Sequence, residues 1–344
     1  MPYEGVRRIR RRTVLKGLGA GVAATGLAGC TGAGGGGGGG SGNLEEVGVV
    51  VPQYGLWDTT VPYFVAQEQG FYEEEGLSVS RIDAEGGGGN VRVVVAGDAQ
   101  VGFATGIAGL FAAYREGTDV RIVSNEMNRS TDLFWYGLAD QIDYNGVGDI
   151  QGATVGFSNP GSSTNMVAAK AVEGVQGAEA ISVGGPPDAN AAVEGGEVDL
   201  GWSVPPFFLE GVENGDYATV FRGDEVSPFD ALSIRVNFVA GSFLENNTET
   251  AQAFFAAHQR SLNWAYENLD QTIRIWGEET DNDNTDLLRQ AVENGYPREA
   301  LRLPDIKGLD AANQVAVDFD FLDDPLSEDE LNELVDTSPL PGGS

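Results

Sequence analysis

The chain has 344 residues, enough for two domains, and 41% of them are hydrophobic, which supplies sizeable cores. Acidic side chains outnumber basic ones by 52 to 20, a net charge of -32 that excludes a surface built to hold phosphate backbones, so nucleic acid is not an expected partner. One cysteine, Cys30, and one histidine, His258, exclude disulfide frameworks, zinc fingers and blue-copper centres; no metal, cofactor or catalytic group is expected.

The amino terminus reads as an address. Residues 1–29 hold six basic side chains, among them Arg11 and Arg12, ahead of a short Gly- and Ala-rich apolar stretch that ends in Leu27, Ala28, Gly29 and Cys30. A basic n-region, an apolar h-region too short to span a bilayer and a small-residue cleavage site make a signal segment. The paired arginines resemble a twin-arginine export signal, and the run up to Cys30 resembles a lipobox, whose cysteine becomes the lipid-modified first residue. Residues 30–46, with consecutive glycines from Gly34 to Gly40, then read as a flexible tether. The expected protein is exported and held at the outer face of the cell membrane through that lipid only, since no later segment is apolar enough to span.

Beyond residue 29 the acid excess deepens, and Lys170 and Lys307 are the only lysines left there. That composition suits work in molar salt, where a Debye length of about 3 Å screens the self-repulsion.

The body alternates short β-branched runs with helical spacing. Strand 47–51 precedes a helix over 61–75; strand 77–82, helix 90–96, strand 100–104, helix 107–114 and strand 120–124 follow. A second unit runs through strand 133–138, strand 154–157, helix 162–174, strand 180–183, helix 189–194 and strands at 200–202 and 219–221. Strand 232–239 then leads into an amphipathic helix over 248–269 and an acidic helical tail. The pattern predicts mostly parallel α/β sheets with ligands at the carboxyl ends of the strands. If the late helices pack back on the first unit, lobe 1 is 47–130 with 237–344, lobe 2 is 131–236, and a cleft lies between them.

Four stretches carry a likeness. They are Pro62 to Tyr72 with Glu75, Gly76 and Leu77; Val91 to Gly106; Gly152 to Gly156 with Gly161 to Thr164; and Glu194 to Leu200 with Trp202 and Pro205. In this order they resemble the solute-binding lipoproteins of the nitrate, sulfonate and taurine branch of ABC importers, here of haloarchaeal type. That branch includes NMT1/THI5-like binders of the thiamine pyrimidine precursor. The resemblance spans roughly residues 47 to 270. It implies an α/β fold of the type 2 periplasmic-binding-protein kind, two lobes with a ligand cleft between them. It also implies a small-molecule solute, and a membrane permease with a separate ATPase as partners. This chain has no phosphate-binding loop of its own.

Strand 154–157, the turn at Ser158, and Ser162, Ser163 and Thr164 make a helix start whose orphan N–H groups suit an oxyanion, with plain capping as the alternative. Gly86 to Gly89 with Asn90 reads as a second such turn or as a flexible loop, and Thr105 and Gly106, after the third strand, fall where the resemblance implies a hydroxyl and backbone donors, with a structural turn as the alternative. Tyr54, Trp57, Tyr63 and Trp202 are the candidate aromatic walls, Trp57 foremost because its loop is polar, while Tyr63 has inward packing with Phe64 as its alternative. No arginine or lysine lies in these loops.

The expected ligand is a sulfonate-, nitrate- or taurine-like anion, with a thiamine-type pyrimidine as the alternative. A pyrimidine-synthase-like enzyme is less favoured: such relatives carry a cysteine-rich motif and a reactive histidine, whereas here Cys30 is the lipid site and His258 falls in the late helix. The acidic run from Asp281 to Asp286 breaks the calcium-loop pattern and reads as a solvated loop.

Overall fold

The computed structural model describes residues 44–84 and 86–342. Arg11, Arg12, Cys30 and the glycine run lie outside the described residues.

Strand β1 (Glu45–Val51) opens ahead of the expected Val47. A single helix over 61–75 does not form. Gly70, in the left-handed region at φ 75°, divides it into α1 (Trp57–Glu68) and α2 (Phe71–Glu74), because a left-handed residue ends the helical ladder. Strand β2 (Leu77–Asp83) follows, and then α3 (Gly86–Val95), so the glycine run belongs to a helix and not to a loop. Strand β3 (Val101–Gly106), α4 (Ile107–Arg115) and β4 (Val120–Met127) complete this part.

The second part holds β5 (Phe134–Leu138), β6 (Thr154–Phe157), α5 (Ser163–Val172), β7 (Glu179–Ser182), α6 (Pro186–Glu194), β8 (Gly201–Ser203), α7 (Leu209–Asn214) and β9 (Tyr217–Arg222). The chain then returns through β10 (Arg235–Ala240) to α8 (Gly241–Asn246), α9 (Thr248–Glu267), α10 (Leu269–Thr280) and α11 (Thr285–Gly295). Helices α12 (Leu309–Asp318) and α13 (Glu328–Leu334) end it.

The main sheet has the order β2-β1-β3-β10-β4. Strand β1 is parallel to β2 and β3, and β10 is antiparallel to both its neighbours, so four of the five strands run one way, as the sequence pattern predicts, and β10 is the exception. The reason is topological: β10 comes back from the second part with no crossover helix, and only βαβ crossovers enforce parallel pairing. In the second part β5 is antiparallel to β8 and β9, while β6 and β7 pair in parallel. A bridge from Val155 to Leu200 joins those two sheets.

The apolar run of β1 is continuous because both faces of the main sheet are covered. Val47, Val49 and Val51 meet Val65, Phe254 and Trp276 on one side; Val50 turns to a second core that includes Phe238 and extends into the other sheets through Trp135 and Phe221. Helix α9 lies on α1 and α2, so late chain does pack against early chain. The chain therefore passes twice between the main sheet and the remaining strands, at residues 128–133 and 223–234.

Candidate functional site

A cavity of about 510 Å3 lies at the carboxyl ends of β1, β2, β3, β6, β7 and β8. Tyr54, Asp83, Ala104, Gly106 and Arg235 line it from the main-sheet side, and Ser158, Ser162, Ser163, Thr164 and Trp202 from the other.

The second wall is built locally. Ser162 caps α5, its Oγ accepting the Asn165 N–H at 3.1 Å, and Asn165 Oδ1 accepts the Gly161 N–H at 3.1 Å. Ser158 donates its N–H to Thr164 Oγ1 at 2.9 Å, and the hydroxyls of Ser158, Ser162 and Thr164 lie 2.7–3.0 Å apart. The N–H groups of Ser163 and Thr164 meet no acceptor among the described residues, leaving donors at the positive end of the α5 dipole. Beside them Trp202 is fixed by donation of its Nε1–H to the Gly184 carbonyl at 3.0 Å.

The two walls touch at Gly106. A Cβ there would sit 3.0 Å from the Gly161 carbonyl and from Ser163 N, so only glycine lets this strand end approach the α5 turn so closely. The preceding Ala104 has φ 45°, a left-handed conformation that costs an alanine on the order of 1 kcal/mol. Asn237 holds it there, accepting the Ala104 N–H at 3.0 Å while donating to Glu126 at 2.6 Å and Ser124 at 2.9 Å.

Arg235, at the start of β10, is 5% exposed and lines the cavity. Its Nη2 lies 2.5 Å from Asp132 and 3.5 Å from Asp58, both fully buried carboxylates. Burial alone would loosen the Arg235 proton, but Asp132 and Asp58 hold it more tightly than usual. Burial pushes the Asp58 carboxyl up to about 6, with Arg235 opposing and Asp132 adding to the rise. Glu126 behind them is also driven up by burial, with Asp58 adding to it.

The expected residues divide. Tyr54, Gly106, Ser158, Ser162, Ser163, Thr164 and Trp202 share the cavity. Trp57 does not: it is fully buried in α1, edge-on to Tyr266 and Trp276, with its Nε1–H donated to Tyr266 Oη at 3.0 Å. The polar residues around it satisfy the helix start, so the indole fills the core. Tyr63 packs against Phe64 with ring centroids 5.1 Å apart and also stays off the cavity. Asn90 and Thr105 are buried beneath it; Asn90 donates to the Phe103 carbonyl at 2.6 Å and to Thr105 Oγ1 at 3.1 Å, which braces β3 from behind.

The sequence reading missed Arg235, Asp58 and Asp132. One signal was present, an arginine inside the apolar run Leu232 to Val239, where a charge must find buried partners. His258 is buried in α9 against Phe103 and Phe254, and burial lowers it to about 3. Among the described residues no group of three His, Cys, Asp or Glu side chains could hold a metal ion, and no helix is long and apolar enough to cross a membrane.

Two sheet-bearing parts around a cavity at their strand ends make the fold of the periplasmic binding proteins, and the comparisons agree. The NMT1/THI5-like family model matches residues 57–272, and the chain belongs to that family. The fold is that of the periplasmic aliphatic sulphonate-binding protein SsuA from Escherichia coli, with a TM-score of 0.67 at 16% identity over 86% of this chain and 92% of that one. The alkanesulfonate-binding protein SsuA from Xanthomonas axonopodis pv. citri, bound to MOPS, gives 0.69 at 12% identity over 86% and 99%. The periplasmic nitrate-binding protein NrtA from Synechocystis PCC 6803 gives 0.66 at 15% over 86% and 87%. No curated protein matches the sequence.

Proposed function

We propose that this chain is the solute-binding lipoprotein of an ABC importer, exported through its paired arginines, anchored by lipid at Cys30, and adapted to molar salt. Its lobes, 47–130 with 237–344 and 131–236, close over a small organic anion and present it to a permease and its ATPase. The observation that carries this reading is the cavity itself, where unpartnered N–H groups of α5, Tyr54 and Trp202 face one space. Support for the ligand class comes from relatives whose descriptions name sulfonates and nitrate. A binder is favoured over an enzyme because His258 is buried in the core and does not line the cavity.

Thermal melting in molar salt against alkanesulfonates, nitrate, bicarbonate and pyrimidines tests it. A ligand at 100 times its dissociation constant should stabilise by about 2.7 kcal/mol. Silence across the panel would remove the anion and pyrimidine assignments and leave the solute open. The aromatic residues Tyr54 and Trp202 in the cavity lining support a thiamine-type pyrimidine as the second reading, and a response to pyrimidines alone would select it. A Cys30→Ser chain that stays on the cell would remove the lipid anchor.

A further inference from the structure

We infer that Arg235 receives the acidic group of the ligand: an oxygen of a sulfonate or carboxylate sits between its unpartnered Nη1 group and the opening turn of α5. This deepens the anion reading above and rests on it.

The guanidinium is built for such a contact. Both of its ion pairs converge on Nη2, from Asp132 and from Asp58. Its Nε is buried with no partner, and Nη1 donates to no described residue. An arginine has five N–H donors in a planar fork, and a buried donor left unmatched is costly; both two-donor edges include Nη2, so the free Nη1 group takes one oxygen of an acid and the other oxygens are left to the α5 turn. Asp132 and Asp58 fix the side chain in advance, which lowers the entropy lost when a ligand docks.

The second donor set stands close by. Arg235 is the register partner of Gly106 across β10 and β3, and Gly106 abuts Ser163 N, whose N–H has no acceptor among the described residues. The two donor sets come from opposite parts of the fold, so an anion between them ties those parts together. At about 510 Å3 the cavity also holds far more than one small inorganic ion, and Leu56, Leu133, Val204 and Trp202 line the remainder. The ligand class is therefore an organic acid with an apolar body.

The test compares 1-propanesulfonate with its neutral isostere 1-propanesulfonamide, by calorimetry in molar salt, on the full chain and on Arg235→Lys. Lysine keeps the charge that Asp58 and Asp132 need but lacks the fork. Tenfold or greater weakening for the sulfonate with the sulfonamide unchanged bears the inference out. Equal loss for both ligands, or no loss for the sulfonate, overturns it.

A second measurement leaves the chain unaltered: a crystal complex with 3-bromopropanesulfonate, its tail located by the bromine. A sulfonate oxygen within hydrogen-bond distance of Arg235 Nη1 supports the assignment, and a sulfonate elsewhere in the cavity overturns it. Sulfonate binding that Arg235→Lys leaves intact defeats this inference alone. A folded protein that takes neither sulfonates nor carboxylates defeats the anion reading, and the inference falls with it.

Discussion

On the α5 wall the polar groups come from one short stretch, Ser158 to Thr164, and the hydroxyls of Ser158, Ser162 and Thr164 find their partners within that stretch or one residue beyond it. On the facing wall Arg235, Asp132 and Asp58 arrive from β10, from the passage after β4 and from the first turn of α1. The first arrangement is closed by local geometry and costs little to form, because each exchange of water for a neighbour is a neutral hydrogen bond. The second buries charge and exists only when three distant segments are held together by the rest of the fold. The two walls should therefore respond very differently to the loss of one side chain.

Arg235→Met should have the largest effect. It strands two buried carboxylates, and breaking a buried pair from one side costs about 3–5 kcal/mol. Chemical denaturation in molar salt measures it; a loss below about 1 kcal/mol would mean that the cluster is open to water and that the contrast between the walls is wrong.

The pH response comes next. Folded Asp58 holds its proton more tightly than the unfolded carboxyl, whose ordinary value is 3.8. Its contribution to stability is full below that value and is lost as pH rises through about 6, a swing of roughly 3 kcal/mol. The groups facing it are Arg235, Asp132, Glu126, Tyr296 and Tyr266. His258, lowered by burial to about 3, works in the opposite sense and loses stability as pH falls from its ordinary 6.5. Asp58→Asn should flatten the descent toward neutral pH; an unchanged slope would assign that titration to other groups. The α5 wall holds no titrating side chain among Ser158, Ser162 and Thr164, so Ser162→Ala should leave the pH profile alone.

The smallest effect falls on that wall. Ser162→Ala removes the acceptor of the Asn165 N–H and should cost about 1 kcal/mol, read by the same denaturation. A loss as large as that of Arg235→Met would show that the hydroxyl trio is no mere local cap.

The same division governs what could be read in advance. The β-branched run at β1, the alternation of strands and helices, and the serine-capped start of α5 are written in neighbouring residues, and all are legible. The place of Trp57 is not, because the residues around it are polar for a different reason: Asp58, Thr59 and Thr60 are buried at a helix start, where Thr60 Oγ1 accepts the Gly55 N–H at 2.9 Å. Polar sequence there marks a satisfied interior turn and not a solvent-facing loop. The glycines ahead of Asn90 misled in the same way, since glycine permits a helix as well as a loop when the surrounding packing decides.

The sequence alone determined the identity and order of most elements and the serine-capped turn at Ser158 to Thr164, because propensity and capping act over a few residues. Only the tertiary structure decided that β10 runs antiparallel between β3 and β4, that Trp57 belongs to the core, and that a buried arginine with two aspartates stands in the cavity wall. Those outcomes depend on which distant segments meet, and a buried charge is stable only where its partners are brought to it.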